Sequence, residues 1–236
     1  MKPCIVIPAW NEAEALPSLL GEIADSGLEG EVVVIDDGST DDTGPVAESL
    51  GATVLRQEPN QGIGPAMRRG FAHAVEAGAS CVLRMDADGQ HPPSEAAKLM
   101  DAAKESGADL VVGTRHAEDS EYTGTWDRRL GVGLLAKGLS WIVRQPLRDP
   151  ASGFQVVSPR LAAWFAEHYP DEYPEPGALI GLKRAGFTVT EVPVRFRPRS
   201  AGESTVTGAR ALRHVLRTTG LLIREGLRGR VKTDRS

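Results

Sequence analysis

No stretch of about eighteen apolar residues occurs in this chain, so no segment reads as a bilayer-spanning helix. The first apolar run, Cys4-Ile5-Val6-Ile7, is cut off at Pro8 and is too short for the hydrophobic region of a secretory signal. Cysteine is nearly absent. The two present, Cys4 and Cys81, fall in runs expected to be buried strands, which argues against a disulfide framework and for reduced core thiols in a cytoplasmic protein. Histidine offers no metal centre either: His73, His116, His168 and His214 lack ligand spacing, and His91 reads as structural. There is no internal repeat, no low-complexity tract and no linker that would separate independent domains. What remains is an ordinary globular composition over 236 residues, long enough for a large core.

The formal charge of −5 hides an asymmetry. From Val206 onward eight Arg and Lys face only Glu225 and Asp234, a surplus of six, which leaves −11 on the rest. An acidic body gives no reason to expect a nucleic-acid partner. The basic end is suited to an anionic one, or is a solvated helix face.

Short apolar runs and amphipathic segments alternate five times along the first half. The runs are residues 4–7, 31–35, 53–55, 81–83 and 109–112. Continuous apolar strands between helices indicate a mostly parallel, doubly wound α/β sheet with helices on both faces. Asn11 is the expected N-cap of the first helix, whose core face is Leu16, Leu19, Leu20 and Ile23. Right-handed crossovers put the strand ends on one rim, where open α/β sheets take ligands. The loops Pro8–Glu12, Asp36–Ser39 and Asp86–Gln90 all belong to that rim. Asp86-Ala87-Asp88-Gly89-Gln90 sets two carboxylates one residue apart as a strand ends, with Pro92-Pro93 forbidding its continuation. Such hard oxygen ligands suit Mg²⁺ or Mn²⁺ better than zinc, and a half-filled shell expects substrate phosphates. Alone, an Asp-x-Asp pair is better explained by a solvated turn, and context elsewhere in the chain has to overturn that reading.

Six motifs in order resemble the family 2 glycosyltransferases of GT-A fold, and within them the dolichyl- or polyprenyl-phosphate sugar synthases. They are Pro8-Ala-Trp-Asn-Glu12, Asp36-Asp-Gly-Ser39, Asp86-Ala-Asp-Gly-Gln90, Gly113-Thr-Arg115, Arg148-Asp-Pro-Ala-Ser-Gly-Phe154 and Arg199…Gly202-Glu-Ser204. The resemblance implies a catalytic domain over 1–205, with a nucleotide-sugar half (1–115) and an acceptor half (116–205). It implies an inverting transfer of a hexose from GDP-mannose or UDP-glucose to a polyprenyl phosphate. Mn²⁺ or Mg²⁺ would be held by Asp86, Asp88 and Gln90, while Pro8, Trp10, Glu12 and Asp37 surround the base and ribose and Asp86 assists. Trp10 departs from the smaller aromatic usual there. Asp36 is either a turn residue or a ligand contact.

Asp88, Asp149 and Arg115 are the expected catalytic set. Arg115, Arg129 (or Arg128), Arg197, Arg199 and Ser204 would bind the acceptor phosphate, for which arginine supplies paired donors. An anionic acceptor needs no general base; a hydroxyl acceptor would, and Asp149 and Glu175, the latter expected in a rigid turn framed by prolines, are the candidates. Residues 206–236 resemble a basic amphipathic helix that would rest on the cytosolic membrane face, meet a small membrane protein or pack on its own domain. Rival readings are a hydroxyl acceptor, a nucleotidyltransferase, or an inactive nucleotide-sugar-binding module. The nucleotidyltransferase would want a glycine-rich basic loop after the first strand, which Pro8–Glu12 is not.

Overall fold

The computed structural model describes residues 2–115, 126–171 and 174–198 together with Gly220 and Arg224, and for 126–132 and 134 the backbone alone. Arg199, Ser204 and the rest of the basic tail therefore lie outside the described residues, as do the side chains of Arg128 and Arg129. The strands are β1 (Pro3–Ala9), β2 (Glu31–Asp37), β3 (Thr53–Gln57), β4 (Cys81–Arg84), β5 (Leu110–Thr114), β6 (Gln155–Val157) and β7 (Val189–Pro193). Between them run α1 (Leu16–Asp25), α2 (Thr43–Ser49), α3 (Ile63–Glu76), α4 (Ala96–Ser106), α5 (Trp126–Val143), α6 (Pro159–His168) and α7 (Pro174–Arg184).

The strands form one sheet in the order β3-β2-β1-β4-β6-β5-β7. β1 to β4 are mutually parallel, and β5 is parallel to β7. β6 is the exception: it runs antiparallel to both β4 and β5. Consecutive strand residues face opposite sides, so each strand feeds two cores. Cys4, Val6, Val33 and Ile35 pack with Phe71 of α3, Leu139 of α5, Phe165 of α6 and Leu179 of α7. Ile5, Ile7 and Val34 pack with Leu16, Leu19 and Ile23 of α1, Ala47 of α2 and Leu99 of α4. Each such buried aliphatic side chain stabilises the fold by about 1.5–3 kcal/mol. α3 lies so close to the sheet that a Cβ on Gly70 would sit 2.5 Å from Val6.

Two local expectations are corrected. Asn11 does not cap α1: it occupies the left-handed region at φ 55°, tolerable for Asn, and the helix begins only at Leu16. Glu175 is not in a proline-framed turn but in the first turn of α7, where Pro174 suits the opening helical position.

Candidate active site

The strand order reverses between β1 and β4, so the loops after β2, β1 and β4 stand side by side on the carboxyl rim. Pro8 lies buried near the end of β1, and Trp10 beyond it is 44% exposed. This loop is stitched to the next. Asn11 donates its N–H to Ser39 Oγ (3.0 Å) and accepts the Thr40 N–H (2.8 Å), while the Glu12 N–H donates to Thr43 Oγ1 (2.9 Å).

Asp36 and Asp37 end β2 with opposite faces and different partners. Asp36 is fully buried, accepting the Ser39 N–H (2.9 Å) and Arg56 Nη1 (3.1 Å); it closes its own turn. Asp37 accepts Gln57 Nε2 (2.5 Å) and the N–H groups of Gln61 and Gly62 (2.8 Å each). Its carboxylate thus holds the loop that leads into α3, Gln61 and the N-cap Gly62, from the end of a neighbouring strand. Any part it plays with a ligand is through the segment 57–62 that it fixes as much as through its own oxygens.

After β4 the chain turns through Asp86–Gln90. Asp88 is buried and accepts the Gln90 N–H (3.0 Å); the Asp86 side chain is 36% exposed. His91 braces the turn from beneath. Its Nδ1 accepts the Asp86 N–H (2.9 Å), its ring stacks on Phe154 with centroids 4.9 Å apart, and Phe196 meets it edge-on at 5.1 Å. Burial lowers the imidazole pKa against the pull of Asp86 and Asp88, so this histidine is neutral. The Gln90 carbonyl accepts the Arg197 N–H (3.1 Å), which ties the strand end beyond β7 to the same turn.

The segment Arg148–Phe154 performs three jobs. Asp149, 1% exposed, receives Arg115 through Nε and Nη2 at 2.7 Å each and through the Arg115 N–H at 3.1 Å. Gly153 lies against Asp86: a Cβ there would come 2.7 Å from both carboxylate oxygens. Phe154 is the stacking partner of His91. The antiparallel β6 that follows brings this segment to the sheet centre, between β4 and β5.

Among the described residues no group of three or more His, Cys, Asp and Glu is arranged to hold a metal ion. The fit is therefore that of an incomplete shell: Asp86 and Asp88 offer hard oxygens, and Gly153 leaves space at the Asp86 carboxylate. Arg197, expected at the acceptor phosphate, has its guanidinium on Glu22 of α1 (2.7 Å). Arg115 is at the rim as expected, its guanidinium 5.6 Å from the centroid of Phe196. Glu175 pairs with Arg84 (2.8 Å).

Three contributors escaped the sequence reading. Arg84 is a buried cation directly before the acidic turn, signalled only by an arginine inside an apolar strand. Glu191 of β7 accepts the N–H groups of Arg148 (2.9 Å) and Asp149 (3.1 Å) and so holds that segment in place. Asn60-Gln61-Gly62 before α3 receives Asp37; its glycine, at φ 90°, marked a turn that could have been noticed.

The family model "Glycosyl transferase family 2" matches residues 4–157. The chain is 30% identical to the undecaprenyl-phosphate mannosyltransferase of Micrococcus luteus, covering 98% of this chain and 99% of the relative. It is 29% identical to the polyprenol monophosphomannose synthase of Mycolicibacterium smegmatis, covering 98% and 89% respectively. Among solved structures it is similar to glucosyl-3-phosphoglycerate synthase of Mycobacterium tuberculosis in complex with Mn²⁺, UDP and glucosyl-3-phosphoglycerate. The TM-score there is 0.70 at 26% identity, covering 95% of this chain and 80% of the other. The same enzyme has also been solved with Mg²⁺ and UDP.

Proposed function

The chain belongs to glycosyl transferase family 2, with the GT-A fold, and on that basis we propose that it moves a hexose from a nucleotide sugar to a polyprenyl phosphate with inversion. It is a glycosyltransferase; the acceptor and sugar are the proposal. The names of the relatives favour mannose, whereas the similar solved enzyme was crystallised with UDP-glucose as well as UDP.

One observation carries the acceptor reading. Both carboxylates that a hydroxyl acceptor could use as base are already engaged: Asp149 is bound on both oxygens by Arg115, and Glu175 is bound by Arg84. A phosphate oxygen is anionic at neutral pH and needs no base. Asp149 then works by aiming Arg115, whose planar guanidinium and flanking rim suit a phosphate. Asp86, Asp88 and Gln90 would hold Mn²⁺ or Mg²⁺, which supplies Lewis acidity at the departing diphosphate. Asp37, Pro8, Trp10 and Glu12 line the loops where base and ribose would lie; Arg129, Arg199 and Ser204 remain expected acceptor contacts outside the described side chains.

A second reading has specific support: the similar synthase is also solved with phosphoglyceric acid, a soluble acceptor bearing a phosphate. The test is one panel. GDP-mannose and UDP-glucose, each with Mn²⁺ or Mg²⁺, are offered with a short polyprenyl phosphate, the corresponding polyprenol, or 3-phosphoglycerate. Transfer to the lipid phosphate and not to the polyprenol is expected, with about 10²–10³-fold loss in Asp88→Asn. Transfer to the polyprenol alone would reverse the acceptor assignment.

Among the described residues no helix is long and apolar enough to cross a membrane. Access to a lipid acceptor would come from the basic end of the chain resting on the cytosolic leaflet or on a small membrane protein. Co-sedimentation with anionic liposomes, full chain against a version ending near Thr205, checks this; equal partitioning removes it.

A further inference from the structure

Arg84 closes β4 between Leu83 and Met85 with its side chain 2% exposed, a place where arginine is tolerated only if paired. Its Nη1 donates to Tyr169 Oη (2.7 Å). Its Nη2 faces two carboxylates at once, Glu175 Oε1 at 2.8 Å and Asp86 Oδ1 at 3.5 Å. Nε is buried with no partner among the described residues, so the guanidinium is placed for its two ends and not for its own full satisfaction. A guanidinium keeps its charge in a protein, so Arg84 brings a full positive charge to both carboxylates.

A single nitrogen thus stands between Asp86, on the acidic turn, and Glu175, at the start of α7. Remove the guanidinium and Glu175 becomes a third carboxylate beside Asp86 and Asp88. The neighbouring groups do not substitute for it: His91 turns Nδ1 to the Asp86 N–H, and Arg115 pairs with Asp149.

We propose that Arg84 is a positioning residue that keeps the acidic turn a two-carboxylate site, by holding Glu175 off it and offsetting the charge of Asp86. The turn then binds a divalent cation weakly by itself and tightly only once a nucleotide diphosphate adds its oxygens. This inference rests on Asp86 and Asp88 being the metal-binding turn. Arg84 touches neither donor nor acceptor in this scheme.

Mn²⁺ binding to the full chain, read from the EPR signal of the free ion, separates this role from a merely structural one. The wild-type chain should bind Mn²⁺ weakly alone and more tightly with UDP or GDP. Without nucleotide, Arg84→Met should tighten binding about tenfold or more, because a nearby positive charge is gone and a carboxylate is released. Glu175→Gln should weaken it about threefold or more, because Arg84 is then less compensated. The double variant should return close to wild type. Loss of a purely structural contact would weaken binding in both single variants, and that result, or no change in either, overturns the inference. Should Arg84→Met fail to fold, Arg84→Lys decides: it keeps the charge and loses the paired geometry, so wild-type Mn²⁺ affinity is expected, and weakened binding overturns the inference. If the wild-type chain binds no Mn²⁺ with either nucleotide, the metal assignment itself is wrong and this inference goes with it.

Discussion

Two arginines stand behind the rim, one on each side of the antiparallel strand β6, and they are built differently. Arg115, at the end of β5, meets Asp149 through two side-chain nitrogens at 2.7 Å and one backbone N–H. Arg84, at the end of β4, divides itself among a phenol and two carboxylates and leaves Nε without a partner among the described residues. The first is a two-point pair that fixes the direction of its guanidinium. The second is an open junction whose charge is shared with the acidic turn. The lesson is that an arginine beside a carboxylate can hold one segment in place or stand between two carboxylates, and which carboxylates it reaches distinguishes the two.

The largest expected effect tests the two-point pair. Asp149→Asn leaves the half-buried Arg115 against a neutral partner and should cost about 3–5 kcal/mol, seen as a lowered urea midpoint, together with most of the transfer activity. A loss below about 1 kcal/mol would mean that water replaces Asp149 easily, and the contrast with Arg84 would collapse. Arg115→Lys keeps the charge and forfeits the paired geometry. A smaller loss of about 1.5–3 kcal/mol is expected, with the acceptor KM rising more than the donor KM.

Gly153→Ala probes the place where the two regions touch. The new Cβ falls 2.7 Å from both Asp86 oxygens, so either the carboxylate or the segment must shift. About 1–3 kcal/mol of stability and a weaker apparent Mn²⁺ dependence of turnover are expected. Wild-type Mn²⁺ titration behaviour in this variant would show that Asp86 does not need its present position.

The smallest effect concerns Glu191, which supports the two-point pair through backbone N–H groups. Burial raises its pKa above the ordinary 4.5, more than those N–H groups lower it, and the charge of Asp149 adds to the rise. For a raised folded-state value the contribution is fully present below about pH 4.5 and is lost as pH climbs through the folded pKa. The stability difference between wild type and Glu191→Gln should therefore move against wild type as pH rises across that window. Urea melts at stepped pH measure it, and a difference independent of pH would remove the assignment.

Much of this was readable beforehand, for a local reason. The unbroken apolar run that β1 buries on both faces and the apolar stripe Leu16, Leu19, Leu20 and Ile23 are written within single segments, and both appear as expected. The convergence of the loops after β1, β2 and β4 followed from the alternation of strand and helix and from crossover handedness. Asn11 misled because its side chain serves Thr40 in the neighbouring loop and not the helix after it. The partners of Asp37 were equally out of local reach: they lie just before α3, beyond the β2–β3 pairing.

The chain by itself determined which segments are strands, which faces they bury, and that an acidic turn ends the fourth strand beside two other polar loops. Those properties depend on neighbours in sequence, where spacing and steric preference act directly. Only the tertiary structure decided that β6 enters the sheet backwards between β4 and β5, delivering Gly153 to Asp86 and Phe154 to His91. It alone decided which carboxylate each arginine meets, since Arg84 lies 91 residues from Glu175 and Arg115 34 from Asp149. A charge in a low-dielectric interior takes the nearest opposite charge in space, and separation along the chain carries no information about which that will be.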